Sequence, residues 1–360
     1  MSTTLSMRQW NRTLLQRQHL LERVDEDVLE VLDRCVGLQS QDPKSAFYGL
    51  WSRIADFDPA DLDQLIDERE VVRIALLRST VFLIDSEDAR WIRPLTQPLM
   101  DKVLRSNHYK LIGDADPAEV ANYGRELLRG NEMTVKDLKA ALSERWPAAD
   151  ASSLVTVVRC LESLVQVPPR GTWRGSATTT YQLFDDWCGA GEPAVSGDEA
   201  IADLVRLYLR GFGPASINGI QTWSGITGLR PIIEAMEADW ELAKLQGPDG
   251  EELFDIEGLA PADEGVDAPA RLVAPFDNIV LAQGADRRRV IHDEVFKKTT
   301  TPNGRSPGFV LVDGRVAGIW NPRKDGKKIT VEVEYLLKVS AADRREVDRE
   351  RDQMIEFCNS

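Results

Sequence analysis

Apolar residues recur along this chain at two spacings, and the change from one spacing to the other predicts its elements. Spacings of three and four residues predict helices over residues 11–33, 60–67 and 87–104. Residues 71–85, between the last two, are rich in the residues typical of strands. Helices combined with a short β-hairpin are typical of a winged helix, so residues 1–115 are expected to form one such unit.

The same order recurs in residues 116–195, which are expected to form a second unit. Amphipathic segments cover residues 118–130, 134–145 and 152–165, and Thr134 is expected to cap the second of these helices. Strands over residues 164–167 and 178–183 then predict a hairpin, with residues 171–175 in its tip.

A third unit is expected over residues 196–262, followed by a β-rich C-terminal element over residues 263–360. Residues 198–211 and 214–225 predict a helix-turn-helix, and strands over residues 240–245 and 252–256 predict its wing. The predicted fold is therefore α+β, with three tandem winged-helix units and a C-terminal element packed on the third. That element is expected to contain strands over residues 271–281, 308–312, 315–320 and 328–337 and a helix over residues 341–357.

Polar residues interrupt an apolar helical run at Gln39, Ser40 and Gln41, which we call the triplet. Because Pro43 disfavours helical geometry at Asp42, the helix that begins near residue 28 is expected to end near Gln41. Asp42 is then expected to cap the next helix. At a frayed helix end the two amides could converge on one water molecule, or they could cap backbone carbonyls of the helix. The residues alone leave both interpretations open.

The net charge of −15 argues against indiscriminate binding to nucleic acid, which needs a basic surface. Local basic stretches remain. Residues 165–183 contain Arg170 and Arg174 and no acidic residue. A second stretch contains three consecutive arginines, two lysines and a further arginine: Arg287, Arg288, Arg289, Lys297, Lys298 and Arg305. A charge run is also an ordinary solvated surface, so neither stretch identifies a phosphate site by itself.

Trp173 lies between Arg170 and Arg174 in the predicted hairpin tip. A tryptophan there either packs against its own hairpin or inserts into DNA. Most of the other tryptophans lie at apolar-periodic or strand positions and are expected in the core: Trp51, Trp91, Trp146, Trp187, Trp223, Trp240 and Trp320.

Metal, disulfide and cofactor chemistry is not expected. The four cysteines and three histidines lack the spacing of metal ligands, and no nucleotide-binding glycine loop or nucleophile elbow is present. No signal-peptide pattern begins the chain, and no apolar window reaches the length of a membrane span. A cytoplasmic protein is therefore expected.

Several segments together resemble the bacterial winged-helix DNA glycosylases of the AlkZ and YcaQ type, over nearly the whole chain. They are residues 36–43 (VGLQSQDP), 48–53 (YGLWSR), 77–83 (LRSTVFL), 168–173 (PPRGTW), 276–278 (FDN), 286–287 (DR) and 308–314 (GFVLVDG). In that family a Gln-apolar-Gln or Gln-apolar-Asp triplet carries catalysis, so the resemblance implies Gln39 and Gln41 as catalytic residues. Ser40 stands where the family usually has an aliphatic residue, and Phe82 where many members have histidine.

The resemblance implies a monomeric, monofunctional glycosylase that acts on double-stranded DNA carrying alkylated purines, including bulky N7-guanine adducts or interstrand crosslinks. Guanine alkylated at N7 is already a good leaving group, so the enzyme mainly has to direct a water molecule at C1′. The residues expected to contact DNA are Arg170, Thr172, Trp173, Arg174, Arg53 and Arg78. Two alternatives stay open: a transcription regulator reading the major groove with residues 214–225, and an interaction scaffold in which the glutamines are caps.

Overall fold

The computed structural model describes residues 4–281, 283–299 and 304–360. The expected first unit contains more elements than its sequence pattern predicts: α1 Met7–Arg17, α2 Val28–Cys35, β1 Leu38–Gln39, α3 Pro43–Trp51, α4 Pro59–Asp67, β2 Val71–Ala75, β3 Val81–Asp85, α5 Ser86–Leu95 and α6 Gln97–Asn107. The prediction of one helix over residues 11–33 is wrong, because ten residues outside any helix separate α1 from α2. The helix predicted over residues 87–104 likewise divides at Thr96, between α5 and α6.

The second unit follows its predicted order closely: α7 Pro117–Leu128, β4 Met133–Thr134, α8 Val135–Arg145, α9 Ala151–Leu161, β5 Leu164–Gln166, β6 Thr180–Leu183 and α10 Phe184–Cys188. Thr134 caps α8 by accepting a hydrogen bond from the backbone N–H of Asp137. The third unit has the predicted helix-turn-helix and wing plus one additional helix: α11 Gly197–Phe212, α12 Ile217–Ser224, α13 Arg230–Ala238, β7 Leu242–Gln246 and β8 Glu252–Ile256.

The C-terminal element is β-rich, as expected: β9 Arg271–Val273, α14 Asp293–Thr299, β10 Gly308–Val312, β11 Arg315–Asp325, β12 Lys328–Tyr335 and α15 Ala341–Asn359. β9 is much shorter than the strand predicted over residues 271–281, and β11 continues five residues beyond Trp320. Asp313 and Gly314 form the predicted tight turn, since both have positive φ, 46° and 74°.

Strands of the first two expected units share one sheet. Its order is β1-β3-β2-β5-β6-β4, and β2 meets β5 where Ile74 pairs with Val165. The wing strands β7 and β8 form a separate two-stranded sheet, and β9 to β12 form a four-stranded one. The α+β class is therefore confirmed. The division into three winged-helix units stays a prediction, because the first two are continuous through this sheet.

Two shared cores hold the C-terminal element and the N-terminal helix in place. One core joins α2, α3 and α4 to the four-stranded sheet and α15, so the C-terminal element packs on the first unit as well as near the third. The helix α1, expected in the first unit, packs on the third: the indole Nε1 of Trp10 donates to the carbonyl of Pro214 at 2.7 Å, and Arg17 pairs with Asp255. Trp240 is not a core residue, since it is 82% exposed.

Within the described residues, no helix is both long enough and apolar enough to span a bilayer.

Candidate active site

The triplet begins on a short strand, since Gln39 is the last residue of β1 and Ser40 and Gln41 follow it. α2 ends at Cys35, where Val36 takes the left-handed conformation, and the chain then enters β1. Gly37 is required in this turn, because a Cβ there would lie 2.9 Å from the carbonyl oxygen of Leu83. The prediction that the helix continues to near Gln41 is therefore wrong.

Contacts with β3 position both glutamines. Gln39 lies opposite Phe82 in the β1–β3 ladder, and the N–H of Ser40 donates to the carbonyl of Val81 at 2.8 Å. Side chains two residues apart on an extended chain point the same way, so we expect Gln39 and Gln41 to face one side without a frayed helix end. Gln39 is buried at the base of the site, and Gln41 is exposed at its edge.

Each glutamine accepts a hydrogen bond from a fixed donor. The Oε1 of Gln39 accepts from Nη2 of Arg78 at 2.7 Å, and the Oε1 of Gln41 accepts a long bond, 3.4 Å, from the N–H of Val81. Among the described residues, neither amide donates to a carbonyl of α2, which is the arrangement that a capping role requires. The amides are instead held with their oxygens engaged and with one lone pair of each oxygen remaining.

The carboxylate next to the triplet is used for capping, as the sequence predicts. Asp42 accepts from the N–H of Lys44 at 2.9 Å, and Pro43 occupies the first turn of α3. This bond directs the carboxylate of Asp42 toward the start of α3.

Arg73 supports the middle of the triplet from β2. Its guanidinium donates to the carbonyl oxygen of Ser40 at 2.7 Å, to the hydroxyl of Ser40 at 3.3 Å and to Gln166 at 2.9 Å. Burial, together with the charge of Arg170, lowers the pKa of Arg73 to about 9. The hydroxyl of Ser40 therefore accepts a hydrogen bond from Arg73. An aliphatic side chain at this position could not accept that bond.

Arg78 supports the triplet from the 3-10 turn Leu77–Ser79 between β2 and β3. Its guanidinium donates to Gln39, to the side-chain oxygen of Asn278 at 3.0 Å and to the carbonyl of Trp223. It also lies 5.3 Å from the ring centroid of Phe82. Burial lowers the pKa of the Arg78 guanidinium to about 10.

Neither of these two arginines forms an ion pair with a carboxylate of the described residues. Among the described residues, the salt bridges do not include Arg73 or Arg78, and both donate to neutral oxygens. Two uncompensated cations next to the triplet create a positive local potential in an otherwise acidic protein. Such a site favours an anion such as a DNA phosphate.

The hairpin tip, residues 170–175, folds back against the protein. Trp173 packs between Phe47, at 5.0 Å between ring centroids, and Phe357, at 4.9 Å, and the ammonium of Lys44 lies 4.0 Å from its ring. The N–H of Trp173 also donates to Asp63 at 2.8 Å. Trp173 therefore packs in an aromatic cluster formed by α3 and α15. It neither packs only against its own hairpin nor lies free to insert into DNA.

The polar residues of the tip are more accessible. Arg174 is exposed and donates to the backbone oxygen of Ser360 at 3.2 Å. Arg170 is half-buried and donates to the carbonyl of Ala177, and the hydroxyl of Thr172 donates to the carbonyl of Pro169 at 2.9 Å. Among these residues, Arg174 is the best placed to meet a phosphate.

Arg53 lies in the core and not at a DNA-facing surface. Its side chain is fully buried and forms two bonds to the carboxylate of Asp277, at 3.0 and 3.1 Å. It also donates to the carbonyl of Gly49 at 2.9 Å. The expectation that Arg53 contacts DNA therefore has no support in the structure, since no part of the guanidinium reaches solvent.

The second basic stretch is largely neutralised within the chain. Arg287 pairs with Asp293, Arg288 pairs with Glu251, and Arg289 is buried.

Sequence reasoning missed a different basic segment at the turn between β11 and β12. This basic tip, residues 323–328, is exposed throughout and carries four cations: Arg323, Lys324, Lys327 and Lys328. Arg323 pairs with Glu332 across the ladder at 2.7 Å. The Asp325-Gly326 dipeptide was the available signal, because it is a common hairpin turn.

Within the described residues, no group of three or more potential metal ligands is found.

Comparisons with known proteins identify the family and the fold of the chain. The sequence model of the family described as DNA glycosylase AlkZ-like matches residues 32–357. An interstrand DNA cross-link repair glycosylase of Streptomyces sahachiroi is 25% identical over 333 residues, which cover 85% of each chain. The solved structure of Streptomyces sahachiroi DNA glycosylase AlkZ superposes with a TM-score of 0.75 at 21% identity, covering 97% of this chain and 95% of that one, and so shares the fold. The expected enzyme class, a hydrolase of N-glycosyl bonds, is confirmed. The chain belongs to the AlkZ-like family of DNA glycosylases.

Proposed function

We propose that the protein is a monofunctional glycosylase that hydrolyses the N-glycosidic bond of N7-alkylated guanine in double-stranded DNA. The observation that carries the proposal is the hydrogen bonding of the triplet: the amide oxygens of Gln39 and Gln41 are each engaged by a fixed donor beside β3. Each oxygen keeps a lone pair that can accept a hydrogen bond from water. A water that donates both its protons presents its own lone pair to C1′.

The leaving group removes the need for a strong base. Guanine alkylated at N7 departs without protonation, since it already carries positive charge. A neutral amide is a weak base but fixes the direction of attack, and positioning of this kind contributes large rate factors. The proposal therefore requires no metal and no cofactor.

The electrostatics favour a role for the DNA backbone in the same step. Arg73 and Arg78 by themselves would disfavour a cationic base and an oxocarbenium-like sugar. A phosphate of the bound strand offsets this positive potential near C1′. We infer that the phosphates of the lesion-bearing strand, held by exposed cations such as Arg174, stabilise the developing positive charge.

The substrate range follows from the relative and from the hairpin tip. The Streptomyces sahachiroi protein is named for interstrand crosslink repair, and we propose that this chain likewise accepts bulky N7 adducts or crosslinks. Trp173 is committed to the cluster around Phe47 and Phe357, so we assign DNA contacts to Arg170, Thr172, Arg174 and the basic tip. We expect the protein to act as a monomer.

Major-groove reading by the helix-turn-helix is disfavoured. Ile217, Ile220 and Trp223 of α12 are buried, and the turn Gly284–Arg289 covers another part of the helix, where Gly284 comes close to Asn218 and Thr222. The helix is therefore built into the protein, which argues against the transcription-regulator alternative.

The test uses duplex DNA that carries either N7-methylguanine or a bulky N7-guanine adduct. We expect base release and an abasic site that breaks only on alkaline treatment, with no borohydride-trapped enzyme–DNA complex. Strand cleavage without alkali, or a trapped complex, would contradict monofunctional hydrolysis. Intact adducts of both kinds at saturating enzyme would contradict the proposed substrate class.

A further inference from the structure

Arg78 connects three separate parts of the chain at the candidate active site. Its guanidinium donates to Gln39 of β1, to the carbonyl of Trp223 in α12 and to Asn278, which follows β9. The carbonyl of Trp223 lies in the last turn of α12, where the helix dipole favours a cation. Arg78 therefore links the third unit and the C-terminal element to Gln39 of the first unit.

The backbone fixes the direction of the Arg78 side chain. Arg78 has φ 55° and Ser79 has φ 58°, which are left-handed conformations that side-chain-bearing residues rarely adopt. The end of α12 supports this turn, since a Cβ on Gly225 would lie 3.4 Å from the backbone nitrogen of Arg78. Strain that the surrounding structure holds in place is typical of functional sites.

We propose that Arg78 is a positioning residue for hydrolysis, acting through Gln39; this inference rests on the proposed function. The terminal torsion of glutamine has a broad, roughly two-fold preference, so an unrestrained amide readily exchanges its oxygen and its NH2 group. An inward NH2 group would donate to the water and occupy the lone pair needed for attack. Arg78 excludes this arrangement, because its guanidinium can only donate and therefore holds the oxygen of Gln39.

A simple phosphate contact does not explain the arrangement. The guanidinium nitrogens Nη1 and Nη2 both donate to protein oxygens, whereas the exposed Arg174 has one hydrogen bond, of 3.2 Å, within the part of the chain that the structure describes. The two roles predict different measurements. A phosphate contact lowers DNA affinity and the salt dependence of binding, whereas positioning lowers the rate of the bound complex.

The experiment is a double-mutant cycle on single-turnover excision of N7-methylguanine at saturating enzyme, with Gln39→Ala, Arg78→Met and the double variant. Arg78→Met is expected to lower the rate by about 10- to 100-fold and to change duplex affinity little. In the Gln39→Ala background the same change is expected to lower the rate less than about twofold, because the group that Arg78 orients is gone. Arg78→Lys, which keeps the charge without the planar fork, is expected to restore part of the rate.

Arg174→Met is the matched control for a phosphate contact. It is expected to reduce the slope of log affinity against log salt by about 0.9. Arg78→Met is expected to leave that slope unchanged. If it reduces the slope like Arg174→Met and its rate recovers at saturation, Arg78 is a phosphate contact and the proposal is overturned.

The proposal would also be overturned if the double variant lost as much rate as the product of the two single-variant losses, because Arg78 and Gln39 would then act independently. An unchanged rate in Gln39→Ala would instead remove the proposed function itself, so the two failures are distinguishable. If Arg78→Met does not fold, as judged by circular dichroism and thermal melting, Arg78→Lys takes its place in the cycle and the same lack of additivity is expected.

Discussion

Replacing Trp173 by alanine is expected to destabilise the whole protein and to lower its activity only in proportion. Trp173 is half-buried, and its ring contacts Phe47, Phe357 and Tyr48, with Lys44 above its face. Truncation of a fully buried tryptophan costs about 3–5 kcal/mol, so half-burial gives about 2 kcal/mol. The aromatic and cation–π contacts add about 1 kcal/mol. A total near 3 kcal/mol corresponds to a decrease in melting temperature of about 5 °C in a chain of this size.

The assay compares melting temperature, duplex affinity and saturated excision rate on the same preparation. Trp173→Phe is the matched control, since it keeps an aromatic ring against Phe47 and Phe357 and is expected to recover more than half of the lost stability. Below the melting transition, the excision rate of Trp173→Ala is expected to stay within about twofold of the wild-type rate. An unchanged melting temperature with a selective loss of bulky-adduct excision would refute the packing interpretation and restore the role of a wedge in DNA.

Three further predictions concern the core, pH and DNA binding. Asp277→Asn leaves the buried guanidinium of Arg53 without its counter-charge and is expected to lower the free energy of unfolding by about 3–5 kcal/mol in urea titrations; a loss under 1 kcal/mol would contradict the structural role of the pair. Burial, with the charge of Arg34, lowers the pKa of His19 from 6.5 to about 4. Between pH 6.5 and 4 the unfolded chain therefore binds more protons than the folded chain, and the free energy of unfolding falls as the pH drops through that window. His19→Asn, which tolerates the positive φ at this position, should therefore show a shallower loss of melting temperature from pH 6.5 to 4; parallel curves would contradict this. Replacing Lys324 and Lys327 together by glutamine should reduce the salt slope of duplex binding by about 1.8, whereas an unchanged slope would remove the basic tip from the interface.

The order of elements was largely predictable because their spacing and caps are local properties. Thr134 caps α8, Asp42 caps α3, and Asp313 and Gly314 form a tight turn, each as its residue type predicts. The ends of long apolar runs were not predictable. The run from residue 28 reads as one helix until Val36 adopts a left-handed conformation and Gly37 packs against β3, which is a tertiary constraint.

The candidate site was predictable in its position but not in its supporting contacts. The polar triplet identified Gln39 and Gln41 as the place where chemistry is expected, whereas the geometry that joins them comes from pairing with β3, more than 40 residues later. Arg73 shows no motif in the sequence, and its role appears only when the folded sheet brings its guanidinium within hydrogen-bond distance of Ser40. The sequence did not distinguish the roles of Arg53 and Arg78. Arg53 pairs with Asp277 in the core and Arg78 contacts Gln39 at the candidate site, and both contacts depend on the complete fold.

Trp173 and Trp240 illustrate the same limit in opposite directions. The tip of a predicted hairpin offers little core of its own, yet α3 and α15 supply one for Trp173. Trp240 lies at a strand-like position, yet it is exposed between α13 and β7 with φ 62°. Burial of a large aromatic residue is thus decided by distant elements.

The central claim is that Gln39 and Gln41 hold the attacking water, and single-turnover release of N7-methylguanine at saturating enzyme tests it most directly. Gln39→Ala is expected to lower the rate by about 10²-fold or more, and Gln41→Ala, whose side chain is exposed and more weakly held, by a smaller factor. Both variants should keep the wild-type melting temperature within about 2 °C and the wild-type duplex affinity within about twofold, because neither side chain caps α2 or belongs to a hydrophobic core. Unchanged excision rates in both variants, with folding and affinity intact, would contradict the account.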